Sequence, residues 1–220
     1  SIKVPSVIFD EQLWQKYVGI IEDANIPIVC RLGEFHTMMS FLGSIGNLMK
    51  GSSLEDVFAK VYAEHTVSRA LRAHFLKEAA LISLLLELVF DDDMIDSSHF
   101  NDQLNDALQH DNIASKDKFL QTELCRNVDK NLEELKMALF ENSRTARLWI
   151  LYIYYLDVLK RFIITERTSN WPLHIDSTIR MLNLFSSSGH INYAKCTRIY
   201  IQKMQNLSQE YPWLYEKIIT

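Results

Sequence analysis

The sequence predicts a mainly α protein, a helical bundle carrying one short strand–helix–strand piece at its N-terminus. Three observations lead there. Six glycines and four prolines in 220 residues leave few places where long regular elements would break. From Phe35 onward, apolar residues recur at helical spacing almost without interruption. Two runs near the start, Val4 to Phe9 and Ile26 to Leu32, have the β-prone apolar character of strands instead. A hydrophobic share of 48% in 25.7 kDa is enough for a substantial core, which excludes disorder as the main state.

Val7, Ile8 and Phe9 form an apolar run ending at Asp10, which predicts a buried strand with a polar residue at its tip. Leu13, Trp14, Tyr17, Val18, Ile20 and Ile21 then place a helix over Glu11 to Ala24. The second strand follows and stops at Gly33. Together these have the length of a βαβ unit. Two strands do not make an independent sheet, so residues 1–33 read as a partial α/β core cut from something larger, with residues 34–220 as a helical domain. In the first helix of that domain Phe35, Met38, Met39, Leu42, Ile45, Leu48 and Met49 share one broad face, and Lys50-Gly51-Ser52-Ser53 ends it and caps the next.

Helices are expected over Leu54 to Tyr62 and Ser68 to Phe90. The acidic and polar stretch from Asp91 to Ser115 reads as loop, with room for one weak helix. Lys118 to Glu141 is a helix on which Glu133 with Lys136, and Glu123 with Arg126, stand one turn apart. Arg144 to Arg167 is apolar nearly all round and should be the central buried helix. Asn170-Trp171-Pro172 opens another, with Asn170 as cap and proline in the first turn, where a missing N–H costs little. Ser186 to Gly189 closes it, Asn192 to Leu207 makes the next, and Pro212 to Ile219 a last short one. The last two long helices can form a helical hairpin.

Charge is uneven along the chain. Residues 1–86 carry 8 basic and 9 acidic groups, residues 87–141 carry 5 and 14, and residues 142–220 carry 10 and 5. An acidic segment cannot neutralise phosphates, so DNA contact is expected only through the basic C-terminal part. The longest apolar run, Leu148 to Leu156, has nine residues, short of the roughly 18 needed to span a bilayer. No membrane partner is expected. The start of the chain lacks the apolar stretch of a secretory leader, and Cys30, Cys125 and Cys196 are scattered. An intracellular location follows as the expectation.

Several residue groups are candidates for chemistry. Asp92-Asp93-Met94-Ile95-Asp96 matches the spacing by which all-helical isoprenoid synthases hold magnesium and diphosphate, but the second motif of those enzymes is missing. Asp10 stands where open α/β sheets place ligand-binding groups, and in a complete set of such carboxylates it would be a magnesium ligand. It also stands where an acid caps the helix starting at Glu11, accepting from Gln12 or Leu13. His36, after the second strand, can approach Asp10 across the strand tips as a second ligand or proton donor, or be an ordinary first-turn histidine. The other six histidines show no metal-ligand spacing, and neither a phosphate loop nor a Gly-x-Ser-x-Gly is present.

The strings Arg31-Leu32-Gly33-Glu34-Phe35-His36-Thr37-Met38-Met39-Ser40-Phe41-Leu42-Gly43-Ser44-Ile45-Gly46, Ser143-Arg144-Thr145-Ala146, Glu166-Arg167-Thr168-Ser169-Asn170-Trp171-Pro172-Leu173-His174 and Ser188-Gly189-His190-Ile191-Asn192-Tyr193-Ala194-Lys195 carry a resemblance. They look like the signature of an uncharacterised, mobile-element-associated protein family of animal genomes. The layout of that family is similar to transposases with an RNase H-like core: a strand ending in Asp, a second strand leading to a histidine, and a large helical insertion. The resemblance implies that the βαβ piece is the remnant of such a core. Asp10-Glu11-Gln12 departs from the expected Asp-Gln-Pro, Glu34 and Ser53 stand where glycines are usual, and a short segment is missing between Val67 and Ser68. The first and last acidic residues of a two-metal nuclease are not in this sequence. The expectation is a decayed or truncated transposase-like piece with Asp10 and His36 as surviving site residues. No cofactor is expected for this chain, magnesium only with a complete site. The alternative is a non-enzymatic helical interaction module, in which the aromatic Trp149 to Tyr155 segment serves packing or self-association.

Overall fold

The computed structural model describes residues 6–26, 28–52, 70–91, 96–109 and 113–219. The chain forms two compact units, Ser1–Ser53 with Tyr154–Thr220, and Leu54–Ile153. The boundary drawn at residue 33 from the sequence therefore runs through the first unit. The architecture is mainly α with one two-stranded parallel sheet.

The first unit begins with β1 (Ser6–Phe9), α1 (Glu11–Asp23), β2 (Val29–Leu32) and α2 (Glu34–Met49). The strands are parallel, with Ser6 opposite Val29 and Phe9 opposite Leu32. Trp14 is fully buried and its ring N–H donates to the Cys30 carbonyl at 3.2 Å, which pins α1 over β2. The rest of the cover comes from the end of the chain: α8 (Trp171–Ser187), α9 (Ile191–Glu210) and α10 (Pro212–Ile219). Val29, Cys30 and Leu32 share one core with Trp14, Val18, Trp171, Tyr200, Met204 and Leu207. A sheet too small to be stable alone is thus stabilised by helices on its buried face.

Two expectations for this unit need correction. The buried strand is β2, not β1. Ile8 is 53% exposed, because the covering helices pack on β2, whose Val29, Cys30 and Leu32 join the core, and alternate side chains of β1 point away from it. The buried face of α2 is shifted in part from the apolar face predicted: Leu42, Ile45 and Met49 are buried as expected, but Phe35 and Met39 are exposed, and Thr37, Phe41 and Ser44 face inward. Thr37 and Ser44 tolerate burial because their hydroxyls bond the Gly33 and Ser40 carbonyls one turn back, at 2.8 and 3.0 Å. Phe41 packs edge-on against Phe185 and Tyr155. Gly51, at φ +77°, follows α2 as its sequence position predicts.

The second unit contains α3 (Ala70–Phe90), α4 (Ser97–Gln109), α5 (Ile113–Leu120), α6 (Glu123–Asn142) and the start of α7 (Arg144–Thr168). The predicted helix at 54–62 lies outside the described residues. The stretch read as loop holds α4 and the start of α5. Asp96 starts α4 by accepting from the Ser98 and His99 amides, and Phe100 packs with Val89 and Val128. The helix predicted from Lys118 to Glu141 is broken, because the Thr122 hydroxyl accepts from the Cys125 amide and begins α6 there. Lys136 pairs with Glu133 at 2.7 Å as expected, while Arg126 donates to the Gln121 carbonyl.

Helix α7 is the central apolar helix the sequence predicts, with Tyr152, Ile153, Leu156, Val158, Leu159 and Phe162 buried. Asn170 caps α8 by accepting from the Leu173 amide at 3.1 Å, and Gly189 at φ +83° turns the chain into α9. Helices α8 and α9 pack together as the expected hairpin.

Gly33 is the tightest joint in the first unit. Its N–H donates to the Phe9 carbonyl at 2.6 Å, and a Cβ there would stand 2.9 Å from that oxygen. Backbone cannot yield as a side-chain tip can. Gly33→Ala is expected to cost about 1–3 kcal/mol in urea unfolding. An unchanged midpoint would show that the strand tips part freely.

Candidate functional site

Asp10 lies at the tip of β1, and its Oδ1 accepts from the Leu13 amide at 2.8 Å. The carboxylate is therefore the N-cap of α1, one of the two readings its position allowed. The adjacent Glu11 is buried in the first helical turn, where the helix dipole favours a negative charge. Its Oε1 accepts from the Gln15 amide group and lies 3.7 Å from Cys196 Sγ. Burial pushes the Cys196 thiol up to about 11, so the sulfur keeps its proton. His36 is exposed in the first turn of α2 and meets the Phe35 ring edge-on. Among the described residues no hydrogen bond or ion pair joins Asp10 to His36. Nor does any group of three His, Cys, Asp or Glu among them stand where it could hold a metal ion. Asp92 and Asp93 of the acidic motif lie outside the described residues.

Another polar arrangement lies elsewhere in the same unit. A cleft of about 440 Å³ is lined by Arg31 and Glu34 on one side and by Thr165, Glu166 and His174 on the other. Arg31, the third residue of β2, pairs with Glu34 at the start of α2 at 2.8 Å and lies over the Trp171 ring at 5.7 Å. His174, only 4% exposed, is sandwiched by stacking on Trp171. Its Nδ1 is 2.7 Å from Glu166 Oε1 and its Nε2 3.1 Å from the Tyr200 hydroxyl.

Burial holds the Tyr200 phenol well above its usual range, an effect that the adjoining Arg31 guanidinium opposes. Tyr200 is therefore a phenol, and a guanidinium can only donate to it. An arrangement in which the phenol proton points to His174 Nε2 and the ring proton sits on Nδ1, toward Glu166, satisfies all three groups. The result is a continuous polar chain, Glu34–Arg31–Tyr200–His174–Glu166, with a carboxylate at each end. Between α7 and α8, Ser169 lines the same cleft at φ +53°, a left-handed backbone unusual for serine.

Over residues 1–220 the sequence matches the model of a family described as a domain of unknown function, DUF8702. The chain belongs to that family. No curated protein and no solved structure matches it. In this DUF8702 domain the polar chain joins two of the quoted strings, Arg31 to His36 and Glu166 to His174. Sequence reasoning passed over His174 for want of a metal spacing, and Arg31, Glu34, Glu166 and Tyr200 with it. The available signal was that charged and aromatic residues are dense in both strings.

Other polar pairs are structural. His190 Nδ1 lies 3.0 Å from the Ser44 hydroxyl, but Ser44 is fully buried and bonds the Ser40 carbonyl, so no substrate reaches it. In the second unit His74 Nδ1 accepts from Tyr152 at 2.8 Å, with Lys77 and the buried Glu78 nearby. Burial and then Lys77 lower the His74 pKa from 6.5 to about 4. Unfolded chain thus binds a proton that the native state refuses. Stability should be full above pH 6.5 and fall toward pH 4, by about 2 kcal/mol between pH 7 and pH 5 from this residue. Imidazole titration by NMR checks it. A midpoint for His74 at or above 6.5 would contradict the burial account.

Proposed function

We propose that this chain is a transposase-like piece of a mobile-element protein whose metal site is incomplete, and that it does not cut DNA by itself. The observation that carries the reading is the state of its acidic groups. Asp10 is turned onto the Leu13 amide, Glu11 onto Gln15 and Cys196, Glu34 onto Arg31, and Glu166 onto His174. A two-metal nuclease needs several carboxylates converging on one point, held open for cations. Here each nearby acid is directed at a protein donor. The parallel β1–α1–β2 arrangement with an acid at the first strand tip supports the comparison with an RNase H-like core. In a complete site Asp10 would be a magnesium ligand and His36 a neighbouring ligand or electrophilic group.

DNA contact would fall on the basic C-terminal part. Three of its cations are already paired with acids: Arg161 with Asp157, Arg180 with Asp176 and Lys203 with Glu22. Lys195 and Arg198, exposed and one turn apart on α9, are better placed for phosphate. With magnesium or manganese, the purified chain is expected to show no strand cleavage, with Asp10→Ala indistinguishable from it except for the loss of about 1 kcal/mol from the missing cap. Cleavage by the native chain that Asp10→Ala abolishes would overturn the proposal.

The interaction-module reading is favoured by a different observation. Leu13, Tyr17 and Ile20 are all exposed and fall at helical spacing on one side of α1. By contrast Tyr152 and Ile153, within the aromatic segment of α7, are core residues. Self-association through α1 predicts a concentration-dependent dimer in light scattering that Ile20→Glu converts to monomer. A strict monomer at all concentrations contradicts it.

A further inference from the structure

We propose that the outer edge of β1 pairs with β1 of a second copy of this chain, antiparallel about a two-fold axis at Val7, so that the two sheets join into one. The inference deepens the interaction-module reading and rests on it. In a parallel ladder the backbone groups of a strand face its neighbour at every second residue. Phe9 faces β2, since its carbonyl accepts from the Gly33 N–H, and Val7 faces the same way. Ser6 and Ile8 therefore turn their N–H and C=O groups outward, where no strand pairs with them among the described residues. An axis at Val7 sets Ser6 of one copy opposite Ile8 of the other, and Ile8 opposite Ser6. Every outward donor then meets an acceptor, as in the hydrogen-bonded pairs of an antiparallel ladder. None of the four residues of β1 is charged, so no like charges meet across the axis.

The same partner covers the exposed stripe of α1. Tyr17 stacks on Phe9 with ring centroids 4.8 Å apart, which places Leu13, Tyr17 and Ile20 on the β1 side of that helix. Trp14, on its buried side, reaches over β2. Helix α1 thus overlies the gap between the two strands. Paired strands lie about 4.8 Å apart, so the two copies of α1 stand two spacings, about 10 Å, from one another across the axis. Packed helices are separated by about 8–10 Å. One two-fold arrangement therefore pairs the open edge and buries the apolar stripe. The joined sheet also exceeds the two strands that leave the sheet of one copy marginal.

The test follows the full chain by light scattering and by hydrogen exchange at backbone amides across a concentration series. Dimer formation is expected to slow exchange of the Ile8 amide at least about tenfold, since its N–H faces outward in a single copy. Ser6→Pro and Ile8→Pro each remove one outward N–H and leave the ladder to β2 intact, because proline is tolerated where the N–H of an edge strand faces solvent. Each should weaken dimerisation at least about tenfold. Circular dichroism checks that both variants fold; if Ile8→Pro does not, Ser6→Pro, at the first residue of the strand, decides. A strict monomer overturns both this proposal and the interaction-module reading. A dimer that Ile20→Glu dissociates, but whose Ile8 amide exchanges as fast as in the monomer or whose affinity is unchanged in the folded proline variants, overturns the pairing alone.

Discussion

A buried imidazole with a hydrogen-bond partner on each nitrogen organises the first unit. His174 cannot leave either nitrogen unpaired without a penalty of about 1–3 kcal/mol, and the same holds for the Tyr200 hydroxyl bonded to it. Glu166 comes from the end of α7, His174 from α8 and Tyr200 from α9, while Arg31 and Glu34 bring β2 and α2 to the same point. Two stretches of chain far apart in sequence, 31–34 and 166–200, are thereby held in one arrangement by directional bonds. The apolar core around Trp14 and Trp171 supplies the bulk of the burial, but it is non-directional. The polar chain specifies which packing of those elements is native.

That division explains what could be read from the residues alone. Local rules worked well where the physics is local. The Asp10 and Asn170 caps, the turn at Gly189, the central apolar helix and the strand–helix–strand order all depend on neighbours within a few positions. The face of α2 was misjudged because Thr37 and Ser44 satisfy their hydroxyls on the helix itself and go inward, while Phe35 stays out. Helix α4 was read only as a weak helix without bounds because its apolar face is thin, Phe100, Leu104 and Ala107 among many polar residues, and its start rests on Asp96. The candidate site was the least legible part. Nothing in helical periodicity brings position 31 next to positions 174 and 200, and those contacts exist only in the folded unit.

The same reasoning orders the functional alternatives. Strand tips are natural places for acidic catalysis, yet a carboxylate engaged as a helix cap is a structural group first. Glu166 instead lines a cleft held by the polar chain, with 29% of its side chain exposed.

The central claim concerns where one proton sits. Nitrogen-15 NMR of the His174 ring at neutral pH reads it directly: the account requires a protonated, slowly exchanging Nδ1 and an unprotonated Nε2 that accepts a bond. Protonation on Nε2 with a bare Nδ1, or two nitrogens averaged by rapid exchange with water, would contradict it.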